Sequence, residues 1–206
     1  MLAPEFLSKC VKVLDQDASV VICHSKILRI NEYGTVTRKD DSKTLGDSPK
    51  MHIRFGDLIR FNYPTTNIFG VIRRSTLQKT ALFGDYIGAD RNLLAEISLF
   101  GRIHAIPEYL FSKRKHPDIY SHKFFATQFP DYEAALAWWT NSGEVGLPYA
   151  KRISEYFKSV RRAPLKTTER IQCYAQILKL LCTSGWQRIG RDIKIFLYYR
   201  QVKQRS

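Results

Sequence analysis

Strand signals stop at His116-Pro117. Before that point β-rich stretches alternate with helical periodicity, and beyond it every patterned segment is helical. A chain divided in this way builds an α/β region and then an α-helical C-terminal tail, with a boundary near residue 120. The expected units are therefore residues 1–120 and residues 121–206. With 206 residues, 44% of them hydrophobic, there is ample material for a core, and wholesale disorder is ruled out.

Within the first unit, Pro4 to Leu14 reads as a helix with Phe6, Cys10, Val13 and Leu14 on one face. Ser19 to Ile30 reads as a strand, and the turn Asn31-Glu32-Tyr33-Gly34 returns it as a hairpin through Thr35 to Thr37. Arg38 to Lys50 is a polar loop, and Ile53 to Phe61 a short helix. Asn67 to Arg73 reads as a short buried strand, with Ser75 capping the helix that follows. Asp90 to Phe100 is the clearest helix, striped by Leu93, Leu94, Ile97 and Phe100 and stopped by Gly101. Ile103 to Ile106 and Tyr109 to Ser112 read as two strands joined at Pro107. The tail reads as helices over Tyr132 to Thr140, Pro148 to Arg162, Thr167 to Thr183 and Gln187 to Gln201.

Charge sets the partner class. There are 33 Lys and Arg against 19 Asp and Glu, a net charge of +14, which suits a polyanion such as nucleic acid, anionic lipid or a phosphorylated substrate. From Lys151 onward 14 basic residues stand against 3 acidic ones, so this stretch carries +11 of the excess. Cys10, Cys23, Cys173 and Cys182 have neither zinc-ligand spacing nor the density of a disulfide scaffold. They read as reduced, buried thiols of a cytoplasmic protein. No run is long and apolar enough to span a bilayer, and the N-terminus lacks a signal-peptide pattern.

The residues with chemical promise lie between Ile68 and His116. Gly70 inside an apolar stretch marks close approach of a ligand or of another backbone, or a bulge. Asp90 follows Gly88-Ala89 at a helix start, where free N–H groups favour a carboxylate. It is either a helix cap or a general base. Lys113-Arg114-Lys115-His116 is a cluster of donors suited to phosphate, or a solvated basic run.

In order along the chain, several segments resemble a family 2 glycosyltransferase of the GT-A fold. They are the opening APEFLSKCVKVLDQDASVVICHSKI, the hairpin at Asn31 to Thr37, Arg54-Phe55-Gly56-Asp57-Leu58, Phe69-Gly70-Val71-Ile72-Arg73-Arg74-Ser75, Gly88-Ala89-Asp90-Arg91-Asn92-Leu93-Leu94-Ala95-Glu96, and Arg114-Lys115-His116-Pro117. The resemblance covers residues 2 to 118 and corresponds to the acceptor-side half of that fold, a partial sheet with flanking helices. It implies transfer of a sugar from a nucleotide-sugar donor to an acceptor hydroxyl, with Asp90 as the general base of an inverting displacement. Arg114 would stabilise the leaving diphosphate, His116 would be either an extra metal ligand or a diphosphate contact, and Arg91 would orient Asp90 or the acceptor.

The family's donor half, with its DxD metal motif, has no counterpart here. Asp15-Gln16-Asp17 has the DxD spelling but falls at a helix-to-strand turn, and Asp40-Asp41 falls in a polar loop. The resemblance thus implies a truncated enzyme with a naked sheet edge, unable alone to bind a nucleotide sugar tightly. A divalent cation, Mn or Mg, belongs to the complete enzyme. Its partners would be a nucleotide sugar and a glycan or lipid-linked acceptor, at the inner membrane face. The competing reading is a non-enzymatic basic module, set beside a plainer one in which the tail's cations only coat a solvated helical cap. The module's helical tail would meet an anionic membrane or, ranked last, nucleic acid through Lys151, Arg152, Lys158, Arg161, Arg162, Lys166 and Arg170.

Overall fold

A computed structural model describes residues 1–41, 44–61, 63, 65–115 and 147–203. Helix α1 (Phe6–Gln16) leads into β1 (Val20–Ile30) and β2 (Val36–Asp40), followed by α2 (Met51–Arg60) and a 3-10 turn at Thr65–Phe69. Next come β3 (Val71–Ile72), α3 (Arg74–Leu77), α4 (Ala89–Ser98) and β4 (Arg102–Arg114). Beyond residue 146 stand α5 (Pro148–Arg162), α6 (Thr167–Leu180), a π-helical turn at Leu181–Gly185, and α7 (Trp186–Lys203). The architecture is mixed α/β around a four-stranded sheet. The expected helix at Tyr132 to Thr140 and the boundary near residue 120 lie outside the described residues.

β1 is the central strand. β4 runs parallel along one side of it from Val20 to Ile30. On the other side β3 pairs antiparallel at Ile22 and Cys23, and β2 at Ile27 to Ile30. The hairpin turn is closed by Asn31, whose Oδ1 accepts the N–H groups of Tyr33 at 3.1 Å and Thr35 at 2.9 Å. Gly34 supplies the left-handed conformation the turn needs, at φ +87°. Where two strands were expected around Pro107, the chain forms one. The register shifts between Ile106 and Tyr109, so Pro107 and Glu108 sit in a bulge where a missing N–H costs no ladder bond. The outer edge of β4 is covered by the N-terminus: Ala3 N–H reaches Leu110 O at 2.9 Å, and Ser112 N–H reaches Met1 O at 2.8 Å.

The sheet carries helices on both faces. On one, Phe6, Cys10 and Leu14 of α1 pack on Val20, Cys23, Ile106 and Leu110. The other face builds the larger core, in which Ile22 and Ile103 meet Phe55 and Leu58 of α2, Leu94 and Ile97 of α4, Tyr156 and Val160 of α5, and Ile177 and Leu180 of α6. The helices after residue 147 therefore share the core of the α/β unit. Phe55 meets Tyr156 edge-on, ring centroids 6.1 Å apart. Arg54, almost fully buried, donates to Ser98 O (2.9 Å), a carbonyl left open at the end of α4, and to Ser48 O (2.9 Å) and Pro49 O (3.0 Å) in the loop before α2.

Three local expectations are corrected. Asn67 to Phe69 end a 3-10 turn, and only Val71 and Ile72 join the sheet. A Cβ on Gly70 would lie 2.6 Å from Cys23 O, so the glycine serves the approach of the turn to β1. Ser75 does not cap α3. Arg73 stands at the cap, and its guanidinium binds the carbonyls of Leu14 and Asp17 at the end of α1 and of Val20 at the start of β1. The cysteines are free, and three are buried, but Cys182 is exposed.

Candidate functional site

Asp90 sits in the first turn of α4. It is not the cap residue, which is Gly88, held left-handed at φ +86°. One Asp90 oxygen accepts the Arg91 N–H at 2.8 Å. The carboxylate is thus steered by the open helix N-terminus. Arg91 turns its guanidinium toward the 61–63 loop. It donates to Tyr63 O at 2.8 Å and lies over the Tyr63 ring, 4.7 Å from its centroid.

Tyr63 connects this carboxylate to the main cleft. Its ring borders a half-open cavity of about 40 Å³ beside β1, whose wall also includes His24, Ser25, Asp40, Thr66 and Asn67. That is room for roughly three water-sized groups, such as hydroxyls. Two polar atoms of this wall, Tyr63 Oη and His24 Nε2, are buried without a hydrogen-bond partner among the described residues. Burial pushes the Tyr63 phenol far above its usual range and lowers His24, so both are neutral at pH 7. His24 Nδ1 lies 3.1 Å from Ser25 O, which favours the tautomer with the proton on Nδ1 and leaves Nε2 as an acceptor. Behind the wall of this cleft thus lie an uncharged acceptor and an uncharged phenol, beside the ion-paired Asp40 and Lys26.

On the far side of Asp90, α5 closes in. A Cβ on Gly88 would lie 3.1 Å from Arg152 Cδ, so glycine is needed there both for its backbone and for the passage of Arg152. Asn92 Nδ2 donates to Arg152 O at 3.1 Å, and the Arg152 guanidinium lies 4.5 Å from the Tyr149 ring centroid. The first turn of α4 thus meets two arginines whose guanidinium groups lie over tyrosine rings, Arg91 over Tyr63 and Arg152 over Tyr149. Tyr63, Tyr149 and Arg152 carry no sequence signal for this site. Only the packing of the 61–63 loop and α5 against α4 brings them there.

Of the other expected site residues, Arg114 ends β4 at the surface. It donates to Glu32 O at 2.8 Å, in the β1–β2 turn, and shares no partner with Asp90. His116 lies outside the described residues. The cation implied by the resemblance does not find its ligands among the described residues, which hold no group of three or more His, Cys, Asp and Glu side chains. Asp17 Oδ1 takes the Ser19 N–H at 2.8 Å and its Oδ2 faces Arg102 at 3.1 Å, the bonding of a structural turn. Asp40 pairs with Arg29 at 2.7 Å, and Asp41 with Lys26 at 2.8 Å. Among the described residues no helix is long and apolar enough to cross a membrane. Comparison of the chain with protein-family models, with curated proteins and with solved structures finds no match.

Proposed function

We propose that this chain is the acceptor-side part of a GT-A-like glycosyltransferase and that Asp90 is its general base. The observation that carries the reading is the placement of Asp90. It is a carboxylate in the first turn of α4, joined through Arg91 and Tyr63 to a small cleft whose wall holds neutral His24 and Tyr63 beside the ion-paired Asp40 and Lys26. A sugar hydroxyl seated beside Asp90 would give up its proton as it attacks the anomeric carbon of a nucleotide sugar, inverting that centre. Arg91 acts as a positioning residue that holds Tyr63 and the loop forming one wall of the cleft. Arg114, exposed at the end of β4, is the side chain the resemblance directs to the leaving diphosphate.

The test is sugar transfer in extracts of cells that carry the gene, comparing D90N at the native locus with wild type over labelled UDP-, GDP- and dTDP-sugars. Transfer from one donor should fall by about 10²–10⁴-fold, with chain level and thermal midpoint unchanged. Equal transfer from every donor in the two extracts would sink the assignment.

A further inference from the structure

We infer that α6, the π turn and α7 form one long docking surface for an anionic lipid bilayer. Thr167 to Lys203 is helical without a break, and Trp186 N–H bonds back to Leu181 O across the π turn. Ile171, Leu178, Cys182, Trp186, Ile193 and Leu197 recur along it in steps of seven and four residues, which puts them on one side of a helix. That side faces out. Ile171 is 60% exposed, Leu178 56%, Trp186 62%, Ile193 43% and Leu197 50%. The opposite side is apolar too, but it is used, with Cys173, Ile177, Leu180 and Ile195 buried. The helix therefore carries one apolar stripe more than the core takes up, about 40 Å long from Ile171 to Leu197.

Charge selects the occupant. Lys179, Arg191, Lys194 and Arg200 are exposed along the same run. After Glu169 its sole acid is Asp192, which is buried and accepts the Tyr149 N–H at 2.6 Å on the inner side. An exposed apolar stripe bordered by cations and by no exposed acid fits the boundary between head groups and acyl chains of an anionic membrane. Two copies pairing through the stripe would instead set these cations against one another. Four of the five cations of α5 are engaged elsewhere, Arg161 alone being exposed without such a tie among the described residues. Lys151 and Lys158 bind Glu155, Arg162 binds Glu96, and Arg152 lies over Tyr149.

The native Cys182, on the stripe, reports the docking directly. The full chain labelled there with an environment-sensitive dye is mixed with vesicles of equimolar phosphatidylglycerol and phosphatidylcholine, and with vesicles of phosphatidylcholine alone. The expected result is a blue shift and co-sedimentation with the first only, weakened by salt. I193E/L197E should weaken binding by about tenfold or more with the circular dichroism spectrum unchanged, and R191E/K194E should remove the preference for the anionic vesicles. Equal binding to both vesicle types, no binding at low salt, or unchanged binding by I193E/L197E would overturn the inference. So would tighter binding to duplex DNA, or a concentration-dependent dimer in sedimentation that I193E/L197E abolishes. None of these outcomes touches Asp90, so the docking surface and the transferase reading stand or fall separately.

Discussion

Helices α5 and α7 have the same charge and opposite roles. Each holds five Lys or Arg residues and one acid. In α5 four of the five cations are turned into ties, and the fifth, Arg161, is exposed. Glu155, largely buried, gathers Lys151 at 2.9 Å and Lys158 at 2.8 Å, while Arg152 reaches the start of α4. Arg162 closes on Glu96, whose carboxylate is 3% exposed in the core and also accepts the Ala81 N–H at 3.2 Å. In α7 Arg188 lies 5.4 Å from the Tyr149 ring centroid, but Arg191, Lys194 and Arg200 are exposed. Its one acid points inward. Net charge is thus not a property with one meaning. A cation becomes structural where a buried acid or ring awaits it, and a surface feature where none does.

The sharpest way to break this contrast is R162A. It leaves Glu96 buried without its cation and should cost about 3 kcal/mol in denaturant unfolding, at the lower end for a buried pair because Arg162 is partly exposed. A loss below about 1 kcal/mol would make α5 as dispensable as the exposed side of α7.

A smaller effect is expected at Asp192, where α7 caps α5 from outside by accepting the Tyr149 N–H. D192A should cost about 1–2 kcal/mol, since that donor at the start of α5 loses its partner. Unchanged stability would mean the two helices are not coupled there.

D192N refines the same point through pH. Burial raises the Asp192 carboxyl above its usual value, against the pull of the Tyr149 and Ala150 N–H groups. A raised folded value means the native state holds the proton more tightly. The contribution is complete below the unfolded value near 4 and is lost as pH rises through the folded one. Asn keeps the acceptor and never ionises. The stability of D192N relative to wild type should therefore improve between pH 4 and pH 7, read from thermal midpoints. A relative stability that worsens would show that the hydrogen bonds outweigh burial.

The least effect is expected from R191A/K194A, within about 0.5 kcal/mol of wild type, because neither cation is tied into the core. A loss as large as that of R162A would erase the distinction between the helices.

Much of the fold was legible in the sequence because it rests on local periodicity. The α5 range, the α1 face of Phe6, Cys10 and Leu14, and the Asn31–Gly34 turn all follow from spacing and turn chemistry. The departures come where tertiary contact overrides local preference. NIFGVIR reads as a strand, yet its first half closes a 3-10 turn against β1, and only Val71 and Ile72 pair with it, at Cys23 and Ile22. Pro107 reads as a break, yet parallel pairing with β1 carries β4 through it by a bulge.

Asp90 was visible from sequence, as a carboxylate just after a glycine at a helix start. Its surroundings were not. Tyr63 lies 27 residues before it and Arg152 62 residues after it, and no spacing rule links them. The sequence by itself determined the order of elements, the surplus of positive charge and the carboxylate at the head of α4, because these depend on neighbours within a few residues. Only the tertiary structure decided which charges are ties and which are surface, and which apolar stripe is core and which is exposed. Those outcomes depend on what stands opposite each side chain, and a distant part of the chain supplies it.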